Sequence, residues 1–294
     1  MENILLSNGR CTAQIQRKGA EIASFRAPDG REVIWQGDPN VWMSHSPILF
    51  PVCGSPKDDA VIIDGVRYPM FKHGFSRTPE YTVARQGDDF VDLVLLPSDK
   101  TRTMYPFDFV FHVIYTLQDK GFTTTFLVEN HSDTVMPFCV GGHPAFILPM
   151  EEGAFFTDYQ LVFPCVEEGK NALAPDGKLI SGYEYLPLVD GRILPLDHAL
   201  FDSHDALIFP ELRSRSVDLF HRATGKGIHF EYPKFEVLAV WTMPRANAPY
   251  LCLEPWHGIP ASTEESGRFE DKPFVTLLQP GRSWQASFTM SLID

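Results

Sequence analysis

Apolar and polar residues alternate along much of the chain with a period of two. From Phe107 to Leu117 every odd position is apolar or aromatic, whereas the even positions include polar side chains such as Asp108 and His112. Because successive side chains of a strand point to opposite faces, this pattern predicts a half-buried strand. The residues from Phe122 to Val128 alternate in the same way after a polar, glycine-containing stretch at 118–121. The two segments are therefore predicted to form a hairpin.

Two further hairpins are predicted nearer the N-terminus. Apolar segments at 20–25 and 32–35 flank a Pro-Asp-Gly turn, and segments at 61–63 and 66–68 flank the dipeptide Asp64-Gly65. Asp and Gly both tolerate the positive φ that a type I′ turn requires. The chain contains 24 prolines and 21 glycines, so no amphipathic helix of more than about 12 residues is expected.

Strand-like segments continue in the C-terminal half, at 216–221, 228–232 and 236–241. The segment 167–190, rich in Gly, Pro and charge, is interpreted as a long excursion within a domain rather than a boundary between domains. Large β-sandwiches reach about 250 residues as one domain. The sequence therefore predicts an all-β protein with one domain over residues 1–294, built as a large antiparallel β-sandwich.

The charge composition excludes several classes of partner. The 25 basic and 38 acidic residues give a net charge of −13 at pH 7, which repels nucleic acids and anionic membranes. No apolar run approaches the ~18 residues of a membrane span, and no targeting signal is visible. The five cysteines are scattered and form no C-x-x-C pair, which is typical of reduced thiols in a cytoplasmic protein.

Three ionisable side chains lie beside Gly or Pro in apolar surroundings: His73 in Lys-His-Gly, His143 in Gly-His-Pro, and Glu254 in Leu-Glu-Pro. Burial of Glu254 would raise its pKa toward the range of a general base. Each residue also has a purely structural interpretation. His73 would then be a surface-loop histidine, His143 a core histidine bonded to the backbone, and Glu254 a strand-end carboxylate in solvent.

Signatures of other enzyme classes are absent from the sequence. G-x-S-x-G, Walker A, H-E-x-x-H and complete G-x-G-x-x-G motifs do not occur. The ten histidines include no H-x-H or H-x-x-x-H spacing, so no metal and no other cofactor is predicted. Trp35, Trp42, Trp241 and Trp256 are interpreted as packed core side chains, with Trp256 also able to contact a ligand beside Glu254.

Four motifs follow one another along the chain: Pro-Ile-Leu-Phe-Pro-Val-Cys-Gly at 47–54, Lys-His-Gly-Phe-Ser-Arg at 72–77, Gly-Gly-His-Pro-Ala-Phe at 141–146, and Leu-Glu-Pro-Trp-His-Gly at 253–258. In order and spacing they resemble the aldose 1-epimerase (galactose mutarotase) family over nearly the whole chain. The closest likeness is to the branch that contains the lactose-operon X protein. The resemblance implies a galactose mutarotase-like supersandwich, no cofactor, and interconversion of the α and β anomers of a free sugar.

The resemblance also implies roles for particular residues. Glu254 matches the general base that acts on the C1 hydroxyl, and His143 matches the general acid that acts on the ring oxygen. His73 matches a histidine that hydrogen-bonds the sugar near the ring oxygen, and Asp205 matches a sugar-binding aspartate. A base and an acid suffice to open a hemiacetal, each contributing ~10²–10⁴-fold. A nearby Glu254 carboxylate is expected to keep His143 protonated.

One stretch departs from the family pattern. Where the Phe-Pro-x-x-Gly stretch of the family usually continues with a sugar-contacting Arg, this chain has Ser55-Pro56-Lys57. Lys57 is predicted to reach the same hydroxyls, and Arg77 is an alternative polar contact. Because Lys does not reproduce the bidentate contacts of Arg, the preferred sugar stays open.

Three other functions remain as alternatives. A non-catalytic carbohydrate-binding or sensing protein can use the same fold. An epimerase of hexose 6-phosphate would need a basic pocket, for which Lys57, Arg77, Arg213 and Arg215 are the candidates. A metal-dependent sugar isomerase of the cupin type would need a ligand spacing that this sequence lacks. The predicted partner is a monosaccharide, bound by a monomer or a homodimer.

Overall fold

The computed structural model describes residues 3–294, which form mainly antiparallel strands. In chain order the strands are β1 (Ile4–Ser7), β2 (Thr12–Ile15), β3 (Ile22–Arg26), β4 (Ile48–Leu49), β5 (Ala60–Ile63), β6 (Val66–Pro69), β7 (Thr82–Gln86), β8 (Phe90–Leu95), β9 (Phe109–Gln118), β10 (Gly121–Asn130), β11 (Met136–Phe138), β12 (Val140–Gly142), β13 (Ala145–Ile147), β14 (Tyr159–Val162), β15 (Lys170–Leu173), β16 (Gly182–Tyr185), β17 (Ile193–Pro195), β18 (Leu207–Phe209), β19 (Ser216–His221), β20 (Gly227–Glu231), β21 (Val237–Trp241), β22 (Tyr250–His257), β23 (Thr276–Leu278) and β24 (Ser283–Ile293).

Helices are few and short, as the distribution of Pro and Gly predicts. The α-helices are α1 (Asp99–Arg102) and α2 (His198–His204). Single 3₁₀ turns occur at Lys57–Asp59, Phe156–Asp158, Pro175–Gly177 and Phe269–Asp271. None of the helices formed by residues 3–294 is long and apolar enough to cross a membrane.

Two large antiparallel sheets face each other across a shared aromatic core. The larger sheet has the order β17-β14-β19-β20-β24-β10-β9-β8-β7, and the smaller has the order β18-β21-β22-β12-β4, with β13 also paired to β22. Phe146 of β13 lies 6.0 Å, between ring centroids, from Phe230 of β20. Phe50, which follows β4, stacks at 4.5 Å on Phe111 of β9. The predicted all-β sandwich is confirmed.

Two of the three predicted hairpins form. The predicted pairing of segments 20–25 and 32–35 is wrong, because β3 pairs with β2 and meets the second segment only in an isolated bridge between Arg26 and Glu32. Strands β9 and β10 pair from end to end, with Gln118 opposite Gly121, so the turn is shorter than the polar stretch suggested. The buried positions of β9 are the odd ones. Strands β5 and β6 are joined by Asp64 and Gly65, whose φ angles of 49° and 77° fit the predicted turn.

The C-terminal strands also lie where the sequence predicts them, as β19, β20 and β21. The segment 167–190 differs from the predicted loop because β15 and β16 form a hairpin within it. The alternation in β16 spans only Tyr183, Glu184 and Tyr185. An alternation that short is not distinguishable from loop sequence among the surrounding Gly, Pro and charged residues.

Strand β22 occupies the centre of the smaller sheet and is buried along its whole length. It pairs with β21 on one side, and with β12 and then β13 on the other. Between β12 and β13 the ladder is interrupted at His143 and Pro144. Proline has no N–H to donate to a ladder, so the backbone departs from regular pairing here.

Candidate active site

A cavity of about 450 Å³ opens over the interrupted region of the smaller sheet. All four motifs identified in the sequence contribute lining residues, among them Pro47, His73, His143 and Glu254. This volume lies within the range of small-molecule sites in proteins. The motifs, which are far apart along the chain, therefore meet at one place in the fold.

The strand register places His143 opposite Glu254. Gly141 of β12 pairs with Trp256, and Ala145 of β13 pairs with Cys252, so the two strands keep a single register along β22. His143 lies midway between these two pairs. Its Nε2 atom lies 3.2 Å from Oε2 of Glu254.

Both side chains are buried and carry polar atoms without partners. Glu254 is 2% exposed and His143 is 9% exposed. Within residues 3–294, neither Nδ1 of His143, Oε2 of Glu254 nor Nε1 of Trp256 has a hydrogen-bond partner. Buried polar groups are nearly always satisfied, so three such atoms in one cavity point to a polar ligand.

Burial shifts the pKa values of these two groups in opposite directions. It raises the pKa of Glu254 well above its usual range, and the charge of Lys72 opposes that rise. It lowers the pKa of His143 to about 3, and the charges of Lys72 and Arg77 add to the effect. The single proton of the pair therefore resides on Glu254. The expectation that Glu254 keeps His143 protonated is wrong, because burial disfavours both charged forms.

His73 is held in a fixed orientation by the loop after β4. Its ring Nδ1 accepts a hydrogen bond from the Gly54 N–H at 3.1 Å, and its backbone N–H donates to the Gly54 carbonyl at 2.9 Å. Burial lowers the pKa of His73 well below its usual range. The neutral ring therefore carries its proton on Nε2, and its ring centroid lies 5.9 Å from that of His143.

Aromatic side chains form the wall beside His143. Trp42 and Trp241 lie with their ring centroids 5.2 Å and 5.5 Å from the imidazole. Both line the cavity together with Trp256, whereas Trp35 packs behind them on Tyr250. Three of the four tryptophans interpreted as core therefore also face the cavity.

Asp205 lies at the rim of the cavity, where it joins two loops. Its Oδ2 accepts a hydrogen bond from the N–H of Asp176 at 2.9 Å, and its Oδ1 pairs with the Arg245 guanidinium at 3.0 Å. All three residues line the cavity. Asp176 and Arg245 lie in loops that carry no recognisable signal in the sequence.

The structure does not bring Lys57 to the cavity. Its ammonium donates instead to the carbonyl oxygens of Thr263 and Glu265, at 2.9 Å and 2.7 Å. The hydroxyl of the neighbouring Ser55 donates to the Gly177 carbonyl at 3.1 Å. The prediction that Lys57 replaces the family Arg is therefore wrong in this structure, because the chain after Ser55 turns away from the cavity.

Besides Arg245, which pairs with Asp205, two further cations line the cavity, Lys72 and Arg77. Across the described part of the chain, neither has a carboxylate within ion-pair distance. Lys72 was not singled out from the sequence, although it stands next to His73 in the same motif. The other proposed basic residues, Arg213 and Arg215, do not line this cavity, and the Arg215 guanidinium donates to the carbonyls of Leu212 and Ser214.

One group of potential metal ligands also appears at this site. Atoms of His143, Cys252 and Glu254 that can ligate a metal all lie within 4.8 Å of one another. The spacing of these residues along the sequence gave no signal for such a group, because strand pairing brings them together.

An antiparallel β-sandwich with a buried histidine and a buried carboxyl group beside a cavity of this size agrees with the mutarotase class that the sequence motifs resemble. Residues 2–291 match the aldose 1-epimerase family. The plasmid and chromosomal LacX proteins of Lactococcus lactis subsp. lactis are each 35% identical over 299 residues, which cover 99% of this chain and 99% of theirs. The chain belongs to the aldose 1-epimerase family, the isomerases that interconvert the anomers of aldoses.

Solved structures agree with this assignment. A galactose mutarotase related enzyme from Lactobacillus acidophilus is 29% identical with a TM-score of 0.93, covering 100% of this chain and 98% of that one. A galactose mutarotase-like protein from Lactobacillus casei is 28% identical with a TM-score of 0.92, covering 99% of this chain and 100% of that one. The predicted family, fold class and isomerase function are confirmed.

Proposed function

We propose that the protein interconverts the α and β anomers of a free hexose, with Glu254 as the base at the C1 hydroxyl and His143 as the acid at the ring oxygen. The observation that carries this proposal is the position of the two side chains, opposite each other in the ladder between β22 and the β12–β13 segment, with Nε2 and Oε2 3.2 Å apart at the cavity wall. Both oxygens of a hemiacetal are bonded to the same carbon. Acid and base must therefore converge on one point, as these two do.

The reaction conserves the number of protons on the pair. The Glu254 carboxylate takes the O1 proton, the C1–O5 bond breaks, and O5 takes the proton of His143. O1 becomes the aldehyde oxygen, rotation about C1–C2 presents the other face, and the reverse transfers close the ring. One proton is on His143 before opening and one is on Glu254 after it. The resting pair carries its proton on Glu254, so a shift of one proton from Glu254 to His143 precedes ring opening.

The remaining cavity residues bind and orient the sugar. The Nε2–H of His73 donates to an oxygen near the ring oxygen, because its Nδ1 is already occupied by Gly54. Asp205 keeps the two rim loops in place and presents its carboxylate to sugar hydroxyls. Trp42 and Trp241 offer apolar faces against which the C–H face of a sugar packs.

Polarimetry of freshly dissolved α-D-glucose and α-D-galactose tests this proposal directly. Glu254→Gln and His143→Asn should each lower the enzymatic rate by at least ~10²-fold. His257→Asn is the matched control, since His257 is a buried histidine of the same strand whose ring bonds Glu236 and Thr276. A wild-type rate in Glu254→Gln would remove Glu254 from the mechanism. Sugar binding without acceleration by the parent protein would favour the sensing alternative.

A second function, epimerisation of a hexose 6-phosphate, is favoured by Lys72 and Arg77. Two cations without carboxylate partners in the cavity of a protein with net charge −13 suit an anionic substituent. The ratio of kcat/KM for glucose 6-phosphate to that for glucose measures this preference. Lys72→Met and Arg77→Met should lower the ratio by roughly tenfold each if the phosphate binds there. An unchanged ratio would leave the free sugar as the substrate.

We further propose a single galactose mutarotase-like domain over residues 1–294, present in the cytoplasm as a monomer or homodimer with a monosaccharide as its partner and no nucleic acid. The family match over 2–291 supports the single domain. The free thiols of Cys11, Cys53, Cys139 and Cys252, all buried, support a reducing compartment. Size-exclusion chromatography with light scattering distinguishes a monomer from a dimer.

A further inference from the structure

Cys252 lies next to the proposed acid and base but has no part in the sugar chemistry. It precedes Glu254 by two residues on β22, so its side chain lies on the same face of the strand. Its partner across the ladder is Ala145, whose small side chain leaves room at this position. The thiol is fully buried and lies beneath the cavity, outside the residues that line it.

The arrangement of the three side chains fits the donor set of a borderline-soft divalent cation. Ligand atoms of His143, Cys252 and Glu254 lie within 4.8 Å of one another. Around a tetrahedral Zn²⁺ with bonds of about 2.0–2.3 Å, neighbouring ligand atoms lie about 3.5 Å apart. The distance of 3.2 Å between Nε2 and Oε2 is already close to this value, so the sulfur has to approach by at most about 1.3 Å from the 4.8 Å limit.

Two features of the site independently point to a ligand of this kind. Oε2 of Glu254 is buried and, within residues 3–294, has no hydrogen-bond partner. A thiolate and a carboxylate together also balance the two charges of the ion. The cations Lys72 and Arg77 line the same cavity and act against it.

We propose that His143, Cys252 and Glu254 form a Zn²⁺-binding site and that the bound ion inhibits the isomerase. Binding forms one bond each from nitrogen, sulfur and oxygen to the metal, and the protons of the Cys252 thiol and the Glu254 carboxyl pass to solvent. The fourth tetrahedral position faces the cavity and takes a water molecule. The ion occupies both the acid and the base, so it competes with the sugar. Only the inhibition rests on the proposed function; the binding does not.

Co²⁺ replaces Zn²⁺ as a spectroscopic probe, because thiolate ligation gives an intense charge-transfer band in the near ultraviolet. We expect the full-length protein to show this band and Cys252→Ala to lose it. Cys165→Ala removes an exposed thiol and is the matched control, which should keep the band. Cys252→Ser, closer in volume to the native side chain, serves in the same way if the alanine variant does not fold.

Zn²⁺ inhibition of mutarotation provides the second measurement. Inhibition should be reversed by a chelator, be weakened by saturating sugar, and be roughly tenfold or more weaker in Cys252→Ala, which loses one of three ligands but keeps its activity. A band that persists in Cys252→Ala, or equal inhibition of the parent and this variant, would overturn the site. The Co²⁺ band can be measured whether or not the parent protein is an active isomerase. Failure of the proposed function is therefore distinguishable from failure of the metal site.

Discussion

His143 faces Glu254 across an antiparallel ladder that is interrupted at His143 itself. The residues on either side remain paired, with Gly141 against Trp256 and Ala145 against Cys252. The imidazole therefore projects from a fixed backbone position toward a carboxyl on the central strand. Rigid strands hold reacting groups more accurately than loops do, which suits a step that needs acid and base at one carbon atom.

The rate of mutarotation should be nearly independent of pH over a wide range. The pair carries one proton throughout this range, since burial lowers the pKa of His143 to about 3 and raises that of Glu254 well above its usual value. Below about pH 3 a second proton removes the base, and the pair loses its remaining proton only when the pH exceeds the raised pKa of Glu254. Polarimetry from about pH 4 to about pH 8, corrected for the spontaneous rate, tests this. A steep fall near pH 6 would contradict it.

Glu254→Gln should stabilise the fold at neutral pH. In the unfolded chain Glu254 ionises near pH 4.5, whereas in the fold burial raises its pKa. The stability of the parent is therefore fully present below that value and is lost as the pH rises toward the raised pKa. The variant lacks this loss and should therefore be more stable than the parent at pH 7.

Urea unfolding at pH 7 and near pH 4.5 measures this difference. The gain should be much smaller at the lower pH, where about half of the unfolded parent molecules keep this proton. Glu152→Gln, at an exposed position, is the control and should be neutral at both pH values. A Glu254→Gln variant less stable than the parent at pH 7 would mean that Glu254 is ionised in the fold.

Two substitutions of His73 should separate the effect of its hydrogen bond with Gly54 from the effect of its proposed hydrogen bond to the sugar. The amide oxygen of His73→Asn can replace Nδ1 as acceptor for Gly54, and Asn tolerates the φ of 65° found here. This variant should fold normally and lose roughly tenfold or more in kcat/KM, because the donor to the sugar is missing. In His73→Gln the donor is kept and the loop bond is lost, so stability should fall first. Thermal unfolding and kinetics together distinguish the two.

Gly74→Ala should strongly destabilise the protein. The residue has a φ of 73°, and an added Cβ would lie 2.1 Å from the carbonyl oxygen of Phe50. Neither backbone can give way, so we expect a loss of about 3 kcal/mol or more. Gly153→Ala is the control, since Gly153 has a similar φ of 78° in open space and should lose only about 1 kcal/mol. Equal losses would show that φ alone sets the cost.

The strands were predictable where periodicity was long. The odd positions of β9 are buried because a two-layer sandwich covers one face of the strand, which imposes the alternation seen in the sequence. His73, His143 and Glu254 could be found because polar groups beside Gly or Pro are unusual in apolar segments. All three line one cavity, together with Asp205 and Arg77.

The other features of the site depend on tertiary contacts, which no local sequence pattern predicts. Lys57 and Lys72 are both adjacent to recognisable motifs, and only the path of the chain decides that Lys72 enters the cavity. The proton location depends on the burial of His143 and Glu254 together, which the sequence of either segment does not reveal. Cys252 joins them only through the register of β22.

The cavity floor consists of paired strands, whereas its rim consists of loops at 72–77, 174–177, 205–206 and 244–245. On the proposed function, the acid and base therefore occupy a different part of the chain from most residues that select the sugar. A combinatorial library restricted to those loops, with His73 and Gly74 retained, could explore other sugars while leaving the ladder around His143 and Glu254 untouched. The same separation gives evolution a route to new substrates that does not begin by dismantling catalysis.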